Sequence, residues 1–234
     1  MKWVLNAPTI QASRARAAVA AGLTETLATA AFLGSVAEFP HLRNQAPDLY
    51  RAFIEQCWQH ASDRGLTSLI HPRSHFTEAK AAPLRREAYL RLRRNWNITN
   101  KLGLFDINRD EKNFDVAIYG SRRAEPDFIM ASSVHHPRVI NESLIHDGSG
   151  TLPAFRDDND KWDLRPHRER ILHVDLERLS AWKSILEDEN TSVLDTRMVY
   201  TVNSNAMQIL TLTCHRTPDE GSTATVLCRV ERVH

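Results

Sequence analysis

Apolar and polar positions along the chain follow two different periods, and the places where the period changes outline the elements. Residues 11–31 are rich in Ala with Arg14, Arg16 and Glu25 interspersed, which predicts a helix interrupted or ended near Gly22. Gly34-Ser35 and Pro40 then break the pattern. In 47–61, Leu49, Tyr50, Phe53, Ile54, Cys57 and Trp58 recur at three-to-four spacing behind Pro47 and Asp48, and predict a helix with one broad apolar stripe. Asp63-Arg64-Gly65 ends that helix, and 66–70 reads as a short buried strand stopped by Pro72. Thr77 suits the cap of a second helix over 78–96, with Leu84, Ala88 and Leu92 as its spine and Pro83 able to shift its start.

Strand candidates follow at 101–105, at Phe114-Asp115-Val116-Ala117-Ile118-Tyr119-Gly120 and at 127–133. From 135 to 168 the chain is polar and broken by Pro137, Gly148, Gly150, Pro153 and Pro166, which predicts a long ordered loop region. A strand at 171–174, a helix at 176–186 and an alternating β-like tail at 226–231 complete the pattern. The expected fold class is α/β with antiparallel hairpins, followed by a loop-rich α+β segment. The expected division is a helical 1–34, an α/β region 35–135 and a loop-rich 136–234.

Composition excludes some classes. With 42% apolar and 25% charged residues, the chain is an ordinary globular protein and not a disordered one. The formal charge of +1 excludes a uniformly basic nucleic-acid coat but not a local basic patch. There is no run of about 18 apolar residues, so no membrane span is expected. Asn6 comes too early for a secretory leader. Cys57, Cys214 and Cys228 are scattered, without CxxC spacing, which fits a cytoplasmic location and argues against disulfides or a cysteine zinc site.

One order of motifs is informative. Asp48-Leu49-Tyr50-Arg51-Ala52-Phe53 is followed by Leu69-Ile70-His71-Pro72-Arg73-Ser74, then Leu84-Arg85, then Leu104-Phe105-Asp106. This order resembles the C-terminal half of the catalytic domain of large adenine-N6 DNA methyltransferases of restriction–modification and phage-defence systems. The resemblance covers roughly 31–174, and 143–150 and 162–168 are similar to the start of the recognition region in one subgroup. It implies a partial methyltransferase-like (Rossmann-like) sheet, S-adenosylmethionine as the cofactor of the full-length family, and DNA as partner. It also implies that Phe53 borders the cofactor's adenine and that Phe105 stacks on a flipped-out base, which must regain the few kcal/mol lost on unstacking. The alternative for each is a core aromatic.

The departures from the family matter more. No glycine-rich cofactor loop precedes Pro47. The catalytic Asn/Asp-Pro-Pro-aromatic tetrapeptide has no counterpart, the nearest string being Asn6-Ala7-Pro8-Thr9. The expectation is therefore a truncated or split methylase with no intact catalytic residue, which does not bind S-adenosylmethionine alone and which a complementary methyltransferase subunit would complete. The strand at 66–70 would then be an open edge, and the lone chain oligomeric or marginally stable.

A second reading is a non-enzymatic DNA-binding module. Between 73 and 101 lie eight basic residues against Glu78 and Glu87, with Arg91, Arg93 and Arg94 as candidate phosphate contacts. Their alternative is a solvated helix face. His71, His75, His135, His136, His146, His167 and His173 show no metal-ligand spacing, so no metal is expected. Ser143, His146 and Asp147 are too close together for a hydrolase triad, and no nucleophile elbow is present. Trp162-Asp163-Leu164-Arg165-Pro166-His167-Arg168 is expected to brace the chain, the alternative being a loop that reaches DNA.

Overall fold

The computed structural model describes residues 10–43, 45, 48–104 and 113–207. The Asn6–Thr9 string, Pro47, Phe105, Cys214, Cys228 and the tail at 226–231 lie outside them.

Helix α1 (Ile10–Leu33) runs unbroken past Gly22. Helix α2 (Leu49–His60) starts where the Asp48 carboxylate accepts the Tyr50 N–H at 3.3 Å, and it gives way to a turn closed by Gly65 N–H donating to the Ser62 carbonyl. Strand β1 (Thr67–Pro72) follows, then a helical turn α3 (Ser74–Thr77) and helix α4 (Ala82–Arg91), with Pro83 in its first turn. Helix α4 passes directly into β2 (Leu92–Thr99). The helix expected over 78–96 and the strand expected over 101–105 are both corrected here. In 95–98, Asn alternates with Trp96 and Ile98, a period of two that helix-favouring Arg93 and Arg94 obscured. Strands β3 (Asn113–Tyr119) and β4 (Phe128–Val134), helix α5 (Pro137–Leu144), strand β5 (Leu172–Val174) and helix α6 (Leu176–Leu186) complete the set. Helix α5 lies within the stretch expected to be all loop.

The five strands form one mixed sheet in the order β1-β3-β2-β4-β5. Strand β3 is antiparallel to both β1 and β2, so β1 and β2 point the same way with α3 and α4 crossing between them. Strand β4 is parallel to β2, and β5 is antiparallel to β4. The observed fold is thus α/β with a mixed sheet. Between β2 and β4 the register slips by one residue, and Ser133 on β4 takes up a left-handed φ of 56° there. A second slip lies between Leu92 and Arg94. There the Arg93 side chain folds across Gly120, where an added Cβ would come within 2.9 Å of its Nη2.

One face of the sheet carries the main core. Leu92, Ala117, Tyr119, Phe128, Met130, Leu172 and Val174 pack under Ala88 and Tyr89 of α4, Leu179, Trp182 and Ile185 of α6, and Met198, Val199 and Met207. Residues on both sides of position 135 therefore share one core. On the other face Trp96, Ala131 and Val134 pack against Val139 and Ile140 of α5. A third cluster joins Phe39, Leu42, Ala52, Ile54 and Leu84 beneath α2. Trp182 is fully buried and donates its indole N–H to Met207 Sδ at 3.2 Å. Trp182→Ala should destabilise the protein by about 3–5 kcal/mol in urea unfolding, because it empties the largest buried side chain from the main core.

Candidate functional site

In open α/β sheets, ligand sites gather beyond the carboxyl ends of parallel strands. Here those ends are Pro72, Thr99 and Val134. Three polar arrangements meet them.

The first is a knot at the end of β1. Tyr50 Oη accepts from Arg51 Nε at 3.0 Å and from the His75 N–H at 3.2 Å. With two donors aimed at it, the Tyr50 hydroxyl spends its own proton on Ser74 Oγ, 2.5 Å away. The buried Arg51 guanidinium also donates to Gln45, Ser74 and Glu78. Helix α2 is turned to allow this. Arg51, Ala52, Ile54 and Glu55 face inward, and Glu55 accepts from His41 at 2.7 Å, or shares its proton. Leu49 and Phe53, expected on the apolar stripe, face outward. Beside the knot lie two buried histidines. His71 Nε2 is 3.0 Å from the Tyr119 hydroxyl, and both ring nitrogens of His75 lack a hydrogen-bond partner. Burial lowers His71 to about 4 and pushes His75 well below the usual imidazole range, so both are neutral near pH 7. Arg85 sits behind the knot, 1% exposed, and donates only to the carbonyls of His75, Glu78 and Asp195.

The second arrangement is centred on Asp115 in β3, which has no exposed surface. Its carboxylate accepts from Asn97 at 2.7 Å, Asn95 at 3.2 Å and the Tyr200 hydroxyl at 3.3 Å. The Arg73 guanidinium lies 4.8 Å over the Tyr200 ring. Burial pushes Asp115 up to about 6, with the hydrogen bonds from Asn97 and Asn95 opposing it. Sequence reading placed this residue on a strand and gave it no role. The signal was three polar side chains, Asn95, Asn97 and Asp115, at alternating positions of neighbouring strands.

The third is an open cleft of about 760 Å³, lined by Leu102, Arg138, Arg156, Trp162, Arg165 and neighbouring residues. The Trp162 ring is packed by His135, at 4.4 Å between ring centroids, and by the Arg156 guanidinium at 3.8 Å. Cleft charges are paired: Arg138 with Glu142 and Arg165 with Asp163, both at 2.6 Å. Burial alone would raise Asp163, but Arg165 and the Ala154 N–H hold it at about 2. Arg170 donates to the carbonyls of Asp163 and Arg165, and the His167 N–H donates to Ser143 Oγ. The phrase 162–168 thus braces itself against α5. Ser143 is committed to a backbone donor and forms no nucleophile–base pair with His146.

The residues singled out by sequence are not brought together. Phe53 is 63% exposed and therefore is not a core residue. Arg91 pairs with Glu87 and lies 4.9 Å over Trp58. Arg93 donates to the carbonyls of Arg91, Leu92 and Ser121. Arg94 is exposed on β2. Among the described residues, no group of three or more His, Cys, Asp and Glu side chains is placed to hold a metal, and no helix is long and apolar enough to cross a membrane. The chain matches no known family model and no curated protein sequence.

The buried titratable groups oppose each other in acid. Unfolded histidine takes up a proton near pH 6.5, whereas folded His71 does so near 4, so His71 costs stability as pH falls from 6.5 to 4. Folded Asp115 takes up its proton near 6 and the unfolded group near 3.8, so Asp115 adds stability over the falling part of that range. Asp115→Asn removes the opposing contribution. Chemical denaturation from pH 7 to 4 should show a steeper acid loss in that variant than in the unsubstituted protein.

Proposed function

We propose that the chain is the second half of a DNA adenine-N6 methyltransferase of the restriction–modification or phage-defence type, inactive by itself and completed by a subunit that carries the cofactor loop and the catalytic tetrapeptide. The observation that carries this reading is the convergence of the motif residues. Tyr50 and Ser74, 24 positions apart in sequence, meet in a half-buried knot at the end of β1, and Arg85, 11 positions further on, braces it from behind through the His75 and Glu78 carbonyls. The first part of the expected order also supports it, helix, strand ending in Pro-x-Ser and helix bearing Leu-Arg, whereas the strand expected over 101–105 is replaced by one that ends at Thr99. In this reading Phe53 is exposed because the cofactor-bearing half is what would cover it, and Phe105 would meet the extruded base. Arg85 braces the knot and touches no DNA.

A DNA-binding module without enzymatic context is less favoured, because Arg91 and Arg93 are occupied within the protein. Calorimetric titration with S-adenosylmethionine and fluorescence anisotropy with a labelled duplex at graded salt test the reading. The lone chain should give no heat with the cofactor and should bind duplex more weakly as salt rises, an outcome that the module reading shares. Methyl transfer to duplex adenine should appear only when a chain carrying the glycine-rich loop and the catalytic tetrapeptide is added; heat from the lone chain with the cofactor, methyl transfer by the lone chain, or no transfer on complementation would each overturn the reading.

The arginines should also separate. Arg94→Ala should lower the slope of log affinity against log salt by about 1. Arg93→Ala should leave that slope unchanged and lower the unfolding midpoint, because its loss frees three backbone carbonyls.

A further inference from the structure

We propose that the open edge of β1 is a self-association surface, on which a second copy of this chain pairs strand to strand and extends the sheet through a two-fold axis. Strand β1 ends the sheet and has β3 as its one partner among the described residues. An unpaired edge is normally blunted by charge, and 66–72 (Leu-Thr-Ser-Leu-Ile-His-Pro) carries none apart from the buried, neutral His71.

The side of the edge turned away from the helices is apolar and uncovered. Leu69 and His71 face the helices, so Ser68, Ile70 and Pro72 face the opposite side of the sheet, which α5 covers only farther across. Leu66 is 69% and Ile70 58% exposed. On the helical side, Tyr50 and Trp58 of α2 reach down to His71 and Tyr119 of the sheet. Ala52 and Glu55 face Phe39–Leu42, which packs with Leu84 of α4. The remaining flank of α2, bearing Leu49 and Phe53, therefore faces away from both the sheet and the Phe39–Leu42 segment. These two residues are 58% and 63% exposed.

A second copy fits this edge because the sequence is self-complementary about Ser68. Antiparallel pairing centred there sets Leu66 opposite Ile70 of the other copy, and Ile70 opposite Leu66, on one face. The second copy uses the surface that the methylase reading gives to a complementary subunit, so such a subunit would have to displace it.

Sedimentation equilibrium at micromolar concentration should give twice the 26.7 kDa chain mass. Ile70→Lys should halve that mass while preserving the far-ultraviolet circular dichroism, and Leu144→Lys on α5 should leave the mass at twice the chain value. In a background with Cys57, Cys214 and Cys228 replaced by Ser, Ser68→Cys should be cross-linked chain to chain by a short bis-maleimide, whereas Ser184→Cys on α6 should not. If Ile70→Lys loses its dichroism, the Ser68→Cys result decides. A monomer, as expected if a different protein fills this edge, or a dimer that fails to cross-link through residue 68, would overturn the proposal.

Discussion

A buried guanidinium needs acceptors, and Arg51 finds four, on Tyr50, Gln45, Ser74 and Glu78, only when α2 is turned towards them. That requirement sets the rotation of the helix. It brings the Tyr50 hydroxyl onto Ser74, seats His75 behind it and leaves Leu49 and Phe53 on the outside. Apolar burial alone would have turned the helix far enough to cover Leu49 and Phe53 beside Tyr50 and Ile54. Here satisfying one charged group, together with the Glu55–His41 contact, outweighs the burial of two large side chains, each worth about 1.5–3 kcal/mol. The arrangement is coherent if the outer flank is covered by another polypeptide, because the hydrophobic surface is then buried after folding.

Much of the fold was legible because period and punctuation agreed. Asp48 before a helical run, Asp63-Arg64-Gly65 after it, and the alternation through 113–119 each pointed to the element that forms. The failures have specific causes. At 92–94 two arginines with good helix propensity sit in a strand whose identity is decided by Trp96 and Ile98 packing under α5, a tertiary effect invisible at short range. The 66–70 strand reads as buried because it is apolar, yet it lies at the end of the sheet, and order within a sheet is not a local property. Helix α5 was missed because Pro137 and the polar Asn141 and Glu142 mask a short amphipathic turn.

The site was less legible than the fold. The motif strings contain Tyr50, Ser74 and Arg85 but gave Tyr50 and Ser74 no role, and the Tyr50–Ser74 hydrogen bond became visible only in the structure. They gave no hint of Asp115, whose environment comes from three strands and the segment around Tyr200. They also placed weight on Arg91 and Arg93, whose charges are spent on Glu87 and on backbone carbonyls. A run of like charges in sequence reports composition, whereas the direction of each side chain depends on the bulge at 92–94.

The single additional residue at Ser133 has a longer reach than its size suggests. Without it, Val134 would project to the opposite side of the sheet, out of the cluster beneath α5, and His135 would swing away from the Trp162 ring. The packing beneath α5 and the His135–Trp162 contact are thus phased by one residue of chain length. A deletion at this point would therefore be felt as a change of parity that no side-chain replacement nearby can undo.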